Sequence, residues 1–196
     1  MYRPMISTGK LLHLAGMMVR LVGLVLAMTS CLAAQSSEDE ALDRLFAELK
    51  TADEAAARQI EHRIQIIWSE SGSEAMNLLL ARGRQAISDG RYRDAIGHFS
   101  ALVEQSPQFA EGWNGRATAY FLAGHHDLSL RDIGRTLQLN PRHFGAISGL
   151  GMIMEARGEV VAALKAHRMV EELYPNRTGL DAVISRLLAK ARNLQI

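Results

Sequence analysis

From Met76 to Pro175, apolar positions recur at three- and four-residue spacing in paired stretches, and each pair is split by a glycine and closed by a proline. That spacing gathers apolar side chains on one face of an α-helix, so each stretch predicts an amphipathic helix. The breaks are periodic. Gly90, Gly124 and Gly158 stand 34 residues apart, and so do Pro107, Pro141 and Pro175. Glycine tolerates the positive φ that ends the first helix of a pair, and proline cannot continue the second. The pattern predicts three helix-turn-helix units over 76–109, 110–143 and 144–177. Within them the eighth residue is Gly83, Ala117 or Gly151 and the twentieth is Ala95, Ser129 or Ala163, small side chains that let the paired helices approach closely.

The period and these positions are those of a known repeat. The fourth residue of each unit, Leu79, Trp113 and Ile147, and the eleventh, Ala86, Tyr120 and Met154, are mostly large and apolar. The stretch 76–175 resembles three tandem tetratricopeptide repeats, with Ser129 in place of alanine, Ala86 in place of an aromatic, and His167 where a bulky apolar residue is usual. The resemblance implies an all-α solenoid whose concave surface, built from the first helix of each unit, takes an extended or helical segment of another protein. The family's contact positions fall here on Asn77, Leu80, Arg84, Ile87 and Ser88, on Glu111, Asn114, Thr118, Phe121 and Leu122, and on Gly145, Ser148, Met152, Glu155 and Ala156. Arg84, Asn114 and Thr118 would supply hydrogen bonds, and Leu80, Phe121 and Met152 apolar area. Leu80, Ile87 and Phe121 equally suit packing between neighbouring first helices. The expected protein-binding groove is thus Asn77, Leu80, Arg84, Asn114, Thr118, Phe121, Ser148, Met152 and Glu155. Chaperone-binding members of the family clamp a C-terminal carboxylate with lysines, asparagines and an arginine. Leu80, Arg84, Gly115, Gly145 and Gly149 stand at those places, so recognition of chaperone tails is not implied.

A solenoid needs its ends covered. After Pro175, Leu180, Val183, Ile184, Leu187, Leu188 and Ala191 recur at helical spacing, with Arg186, Lys190 and Arg192 between them, which predicts a C-terminal capping helix over 178–196 begun by Thr178 with Asp181. Upstream, residues 35–75 read as an N-terminal helical hairpin or degenerate repeat. Ser37 and Glu40 form a capping box ahead of Leu42, Leu45, Phe46 and Leu49, and a second helix runs from about Asp53 to Trp68 through Ile60, Ile64 and Ile67.

Residues 1–34 hold Arg3, Lys10 and Arg20, no acidic residue, and an apolar run from Leu21 to Met28 followed by small residues. This is the pattern of a secretory signal peptide, and the run is too short for a permanent span of roughly 20 residues. Met28, Thr29, Ser30 and Cys31 resemble a bacterial lipobox, which would make Cys31 a lipidation site. The other reading is cleavage after Ala33 or Ala34. A start at Met17 or Met18 would leave a signal of more usual length. An uncleaved anchor from Leu11 onward would carry His13 and Arg20 inside it.

Without this leader the chain keeps 19 basic and 21 acidic residues and no basic tract, so it lacks the electrostatic footprint of a nucleic-acid binder. The seven histidines lie in different elements without metal-site spacing. Gly149-Leu150-Gly151 sits inside a helix rather than after a strand, which excludes a dinucleotide loop. Asn176-Arg177-Thr178 matches a glycosylation sequon by composition alone. No Ser-His-Asp or Cys-His arrangement stands out. These observations lead to a non-enzymatic, cofactor-free adaptor or assembly factor of a bacterial cell envelope, periplasmic or tethered by lipid, that binds protein partners. The alternative is an accessory subunit that regulates an envelope enzyme. Contact with a membrane would come only through the N-terminal lipid or an uncleaved signal.

Overall fold

The computed structural model describes residues 37–194, and among them every regular element is an α-helix. The chain divides into two compact units, Met1–Asp43 and Arg44–Ile196. Of the first, only the opening turns of helix α1 (37–49) are described, so the signal-peptide and Cys31 expectations lie outside the described residues. The second unit holds the rest of α1, then α2 (Glu54–Ser69), α3 (Glu74–Ser88), α4 (Tyr92–Gln105), α5 (Ala110–Leu122), α6 (His126–Leu139), α7 (Phe144–Ala156), α8 (Val160–Leu173) and α9 (Leu180–Asn193).

Helices α3 to α8 form three antiparallel pairs, α3 with α4, α5 with α6 and α7 with α8, and each pair packs on the next. The turns of the three pairs share one cause. Gly90, Gly124 and Gly158 take φ of 73°, 81° and 76°. The following N–H then reaches back to close the helix, Arg91 to the Ala86 carbonyl, His125 to Tyr120 and Glu159 to Met154, at 2.8 to 2.9 Å. The close approach foreseen at the eighth position is also present. A methyl group on Gly83 would lie 2.5 Å from the Phe99 ring, and one on Gly151 would lie 2.7 Å from His167. In the middle pair, where the eighth residue is Ala117, its carbonyl accepts a 2.8 Å hydrogen bond from the buried Ser129 hydroxyl. A second polar lock joins α5 to α6, as Arg116 grips both oxygens of the buried Asp132 at 2.7 and 3.0 Å.

The last pair is covered by α9, which buries Leu180, Ile184 and Leu187 and packs Leu187, Val183 and Ala191 against Val160 and Ala163. Its start differs from the expected cap. Gly179, at φ 79°, precedes the first turn and no side chain caps it. Thr178 points elsewhere and donates to Glu54 Oε1 at 2.6 Å.

The N-terminal hairpin forms as its spacing predicts. Asp53 accepts from the Ala56 N–H at 2.8 Å at the start of α2. Leu45, Phe46 and Leu49 of α1 and Ala57, Ile60 and Ile64 of α2 are buried. The hairpin does not stack on α3 as one more repeat would, for α2 approaches α5 instead. The reason lies in its aromatic end, which finds its partners at the start of α7.

Candidate functional site

Three first helices meet the end of α2 at one place. Glu111, in the opening turn of α5, is 9% exposed and is held from both sides. Arg84 of α3 donates to its Oε1 at 2.6 Å, and His143, the residue before α7, contacts its Oε2 through Nε2 at 2.8 Å. The other His143 nitrogen, Nδ1, accepts from the Ala146 N–H at 3.1 Å and so caps α7. The ring proton therefore sits on Nε2 and is donated to Glu111. Burial alone would push the Glu111 carboxyl up. The His143 contact, with Arg84 behind it, outweighs burial and holds the group below the usual carboxylate range.

On this platform lies the hairpin. Trp68 stacks on the His143 ring with centroids 4.5 Å apart and planes 20° apart, and its indole also meets Phe144 at 5.0 Å. Phe46 completes the cluster at 6.0 Å from Trp68 and 6.3 Å from Phe144. Ser69 accepts from Arg84 at 3.0 Å. Tyr174, in the segment after α8, meets Phe144 edge-on at 5.7 Å and donates to Glu61 of α2 at 3.2 Å. Its phenol is pushed up to about 12, by burial first and the Glu61 charge second. Beside Trp68 a cleft of about 560 Å³ stays open, with Gln65 and Ile66 on the hairpin side and Arg84, Asn114 and Gly145 on the repeat side.

The groove residues expected from the family positions take separate places. Arg84 and Asn114 line the cleft. Asn77 pins the link between hairpin and repeats, accepting from the Ser71 N–H at 3.0 Å and the Ser71 hydroxyl at 2.6 Å. Leu80 is in the core at 3% exposure. Phe121 packs against the cluster of Ala117, Ile133, Ala146 and Ile153 and stacks on His126 at 5.4 Å. Ser148 receives a hydrogen bond from Arg177, and Glu155 is ion-paired to Arg186 of α9. Arg84, Thr118 and Met152 are the three of the nine that stay exposed. Sequence reading did not find Phe46, Trp68, Ser69, His143 or Phe144 as a cluster. The signal available was weak, a tryptophan closing an amphipathic helix and a histidine in the last position of a repeat. Among the described residues no group of three or more His, Cys, Asp or Glu could hold a metal ion, and no helix is long and apolar enough to cross a membrane.

A TPR repeat-containing protein of Rhizobium etli is 37% identical over 152 residues, which cover 76% of this chain and 74% of that protein. The chain belongs to the tetratricopeptide-repeat family. It also matches 102 residues of the Hsp70-Hsp90 organizing protein of Triticum aestivum at 29% identity, 52% of this chain but 18% of that much longer protein. No family model matches. Among solved structures, the first TPR domain of Spaghetti bound to an HSP90 peptide is similar, with a TM-score of 0.58, 22% identity and coverage of 61% of this chain and 95% of that one. The Yersinia enterocolitica secretion chaperone SycD, in complex with a peptide of the translocator YopD, has a TM-score of 0.56 at 16% identity, covering 60% of this chain and 95% of that one. These structures share the TPR fold with residues of the second unit.

Proposed function

We propose that this TPR protein is a non-enzymatic adaptor or assembly factor of a bacterial cell envelope, exported through its N-terminal leader, which displays the face formed by α3, α5 and α7 to a segment of a protein partner. The observation that carries the reading is the platform itself. Arg84, Glu111, His143 and Phe144, from three successive repeats, converge on one side, and a helix already rests there. A surface that takes one helix has the relief and the hydrogen-bonding groups to take another segment. Peptide complexes of the similar Spaghetti and SycD structures support the same use of the fold. The leader, basic and acid-free ahead of a short apolar run, supports export.

Site-specific crosslinking tests the reading. A photoreactive side chain is placed at Thr118 or Met152 on the first helices, or at Arg131 or Arg135 on α6, in the producing bacterium. Adducts of one discrete partner from the first pair and none from the second are expected. Adducts from α6 alone would move the interface to the outer helices and end the groove assignment. Fractionation of the same cells checks export, and recovery in the cytoplasm alone would refute it.

A further inference from the structure

The end of α2 leaves part of the face beneath it uncovered. A solvent-open cleft of about 560 Å³ lies between α2 and the first helices. Trp68 is only half-buried and Ile66, two residues before it, is 51% exposed. The helix therefore rests on the face without filling it. Its polar contact with α3 is also weaker than the site allows. Arg84 gives one nitrogen to the neutral Ser69 hydroxyl while the other holds Glu111, and at the Ser69 position a carboxylate would accept a stronger, charge-assisted bond. That guanidinium side chain is 45% exposed, so an incoming group can reach it. Between α2 and α3 the link Glu70–Ser73 includes Gly72 at φ 73° and is pinned to α3 through the Asn77 contacts with Ser71. A short glycine-containing link held by side-chain hydrogen bonds is a workable hinge.

We propose that α2 is an internal, displaceable ligand of the face formed by α3, α5 and α7, and that the partner segment replacing it carries an aromatic side chain followed by a carboxylate. This rests on the adaptor reading and adds the partner's chemistry and the means of regulation. The aromatic side chain takes the place of Trp68 against His143 and Phe144. The carboxylate takes the place of Ser69 on Arg84 and gains the charge-assisted bond that α2 leaves unmade. A partner's apparent affinity is then its intrinsic affinity reduced by the fraction of molecules whose hairpin has lifted. Segments without both groups compete less well with a tethered helix, so the hairpin acts as a filter on partners.

The test uses the full chain and two labelled peptides, one copying residues 53–70 and one copying them with Ser69→Asp. The Asp peptide should bind the wild-type chain several-fold more tightly than the plain copy. Trp68→Ala in the full chain weakens the internal competitor and should tighten both peptides at least tenfold. Adding Arg84→Gln should erase the advantage of the Asp peptide. Asn77→Ala, which cuts the hinge contacts and leaves the aromatic cluster intact, should act in the same direction and serves if Trp68→Ala fails to fold. Hydrogen exchange of the wild type should show α2 amides opening faster than those of α5 and α8. Equal affinities for wild type and both variants, with α2 exchanging only through global unfolding, would overturn the proposal. Concave-face crosslinks unaffected by Trp68→Ala would sink this inference alone. Crosslinks confined to α6 would sink the adaptor site, while the peptide measurement still reads whether the hairpin lifts.

Discussion

Glu111 is a carboxylate that its surroundings have made structural. It joins Arg84 of the first repeat to His143 at the end of the second, so losing it would strand the buried His143 Nε2–H and cut Arg84's ion pair. A buried donor left without a partner costs about 1–3 kcal/mol. Glu111→Ala should lower unfolding free energy by about that much in urea titration, and Glu111→Gln, which keeps an acceptor, by less. The contrast is Asp127, which pairs with Arg157 but is 84% exposed, where removal should cost less than about 1 kcal/mol. The Glu111 carboxyl is held below its ordinary 4.5 in the folded protein, so it contributes stability at higher pH that is lost as pH falls below about 4.5 through the lowered folded value. The Glu111→Gln variant should lack that part of the acid dependence. Two glycines give a second contrast. A methyl on Gly115 would lie 2.4 Å from the ring of Phe99, which is fully buried, so Gly115→Ala should cost about 1–3 kcal/mol. Gly97 in α4 has nothing within 4 Å of the added carbon, and there alanine should stabilise by about 0.5–1 kcal/mol through helix propensity.

At the scale of elements, the seam between α7 and α8 carries an unusual burden. His167 is 5% exposed, lies over Gly151, and its Nε2 has no hydrogen-bond partner. Phe99 holds the equivalent place in the first pair, which explains why an apolar residue is the family's habit there. Burial holds the His167 imidazole below its ordinary 6.5, with Arg177 and Arg186 acting the same way against the pull of Glu155. The unfolded chain therefore binds the proton first, and stability falls as pH drops below about 6.5. Melting temperatures at pH 7 and pH 5 should differ more for the wild type than for His167→Phe. An equal difference in both would assign the acid sensitivity to other groups. The same element shows why the repeats were legible from sequence. Period, glycine and proline recur because every pair solves the same local packing problem. The start of α9 was not legible, because Thr178 bonds to Glu54, far away in sequence and outside any period. The candidate site was half legible. Family positions name the helix face, and so Arg84 and Asn114, but cannot say that Leu80 turns into the core or that Glu155 is engaged by α9.

Over the whole second unit, the hairpin changes how stability is distributed. Repeat arrays usually couple only neighbouring units. Here α2 meets α3 through Ser69 and Arg84, the start of α7 through Trp68, and the segment after α8 through Glu61 and Glu54, so it touches pairs that do not otherwise meet. If it were as firmly packed as the repeats, these bridges would make the unit unfold in one step. The open cleft and the partly exposed Trp68 argue for the opposite order, with the hairpin leaving first and the repeats melting later. The chain's two tryptophans allow a direct reading, since Trp68 reports the hairpin and Trp113 the second repeat. Replacing Trp113 with phenylalanine removes one 3.0 Å hydrogen bond to the Pro107 carbonyl and leaves Trp68 as the sole indole emitter. In that variant, fluorescence should shift at a lower denaturant concentration than the far-ultraviolet circular dichroism of the remaining helices. Trp68→Ala should leave the second transition nearly in place. Coincident transitions in the Trp113→Phe protein would mean that hairpin and repeats share one core, and that α2 is a fixed part of the fold rather than a ligand of it.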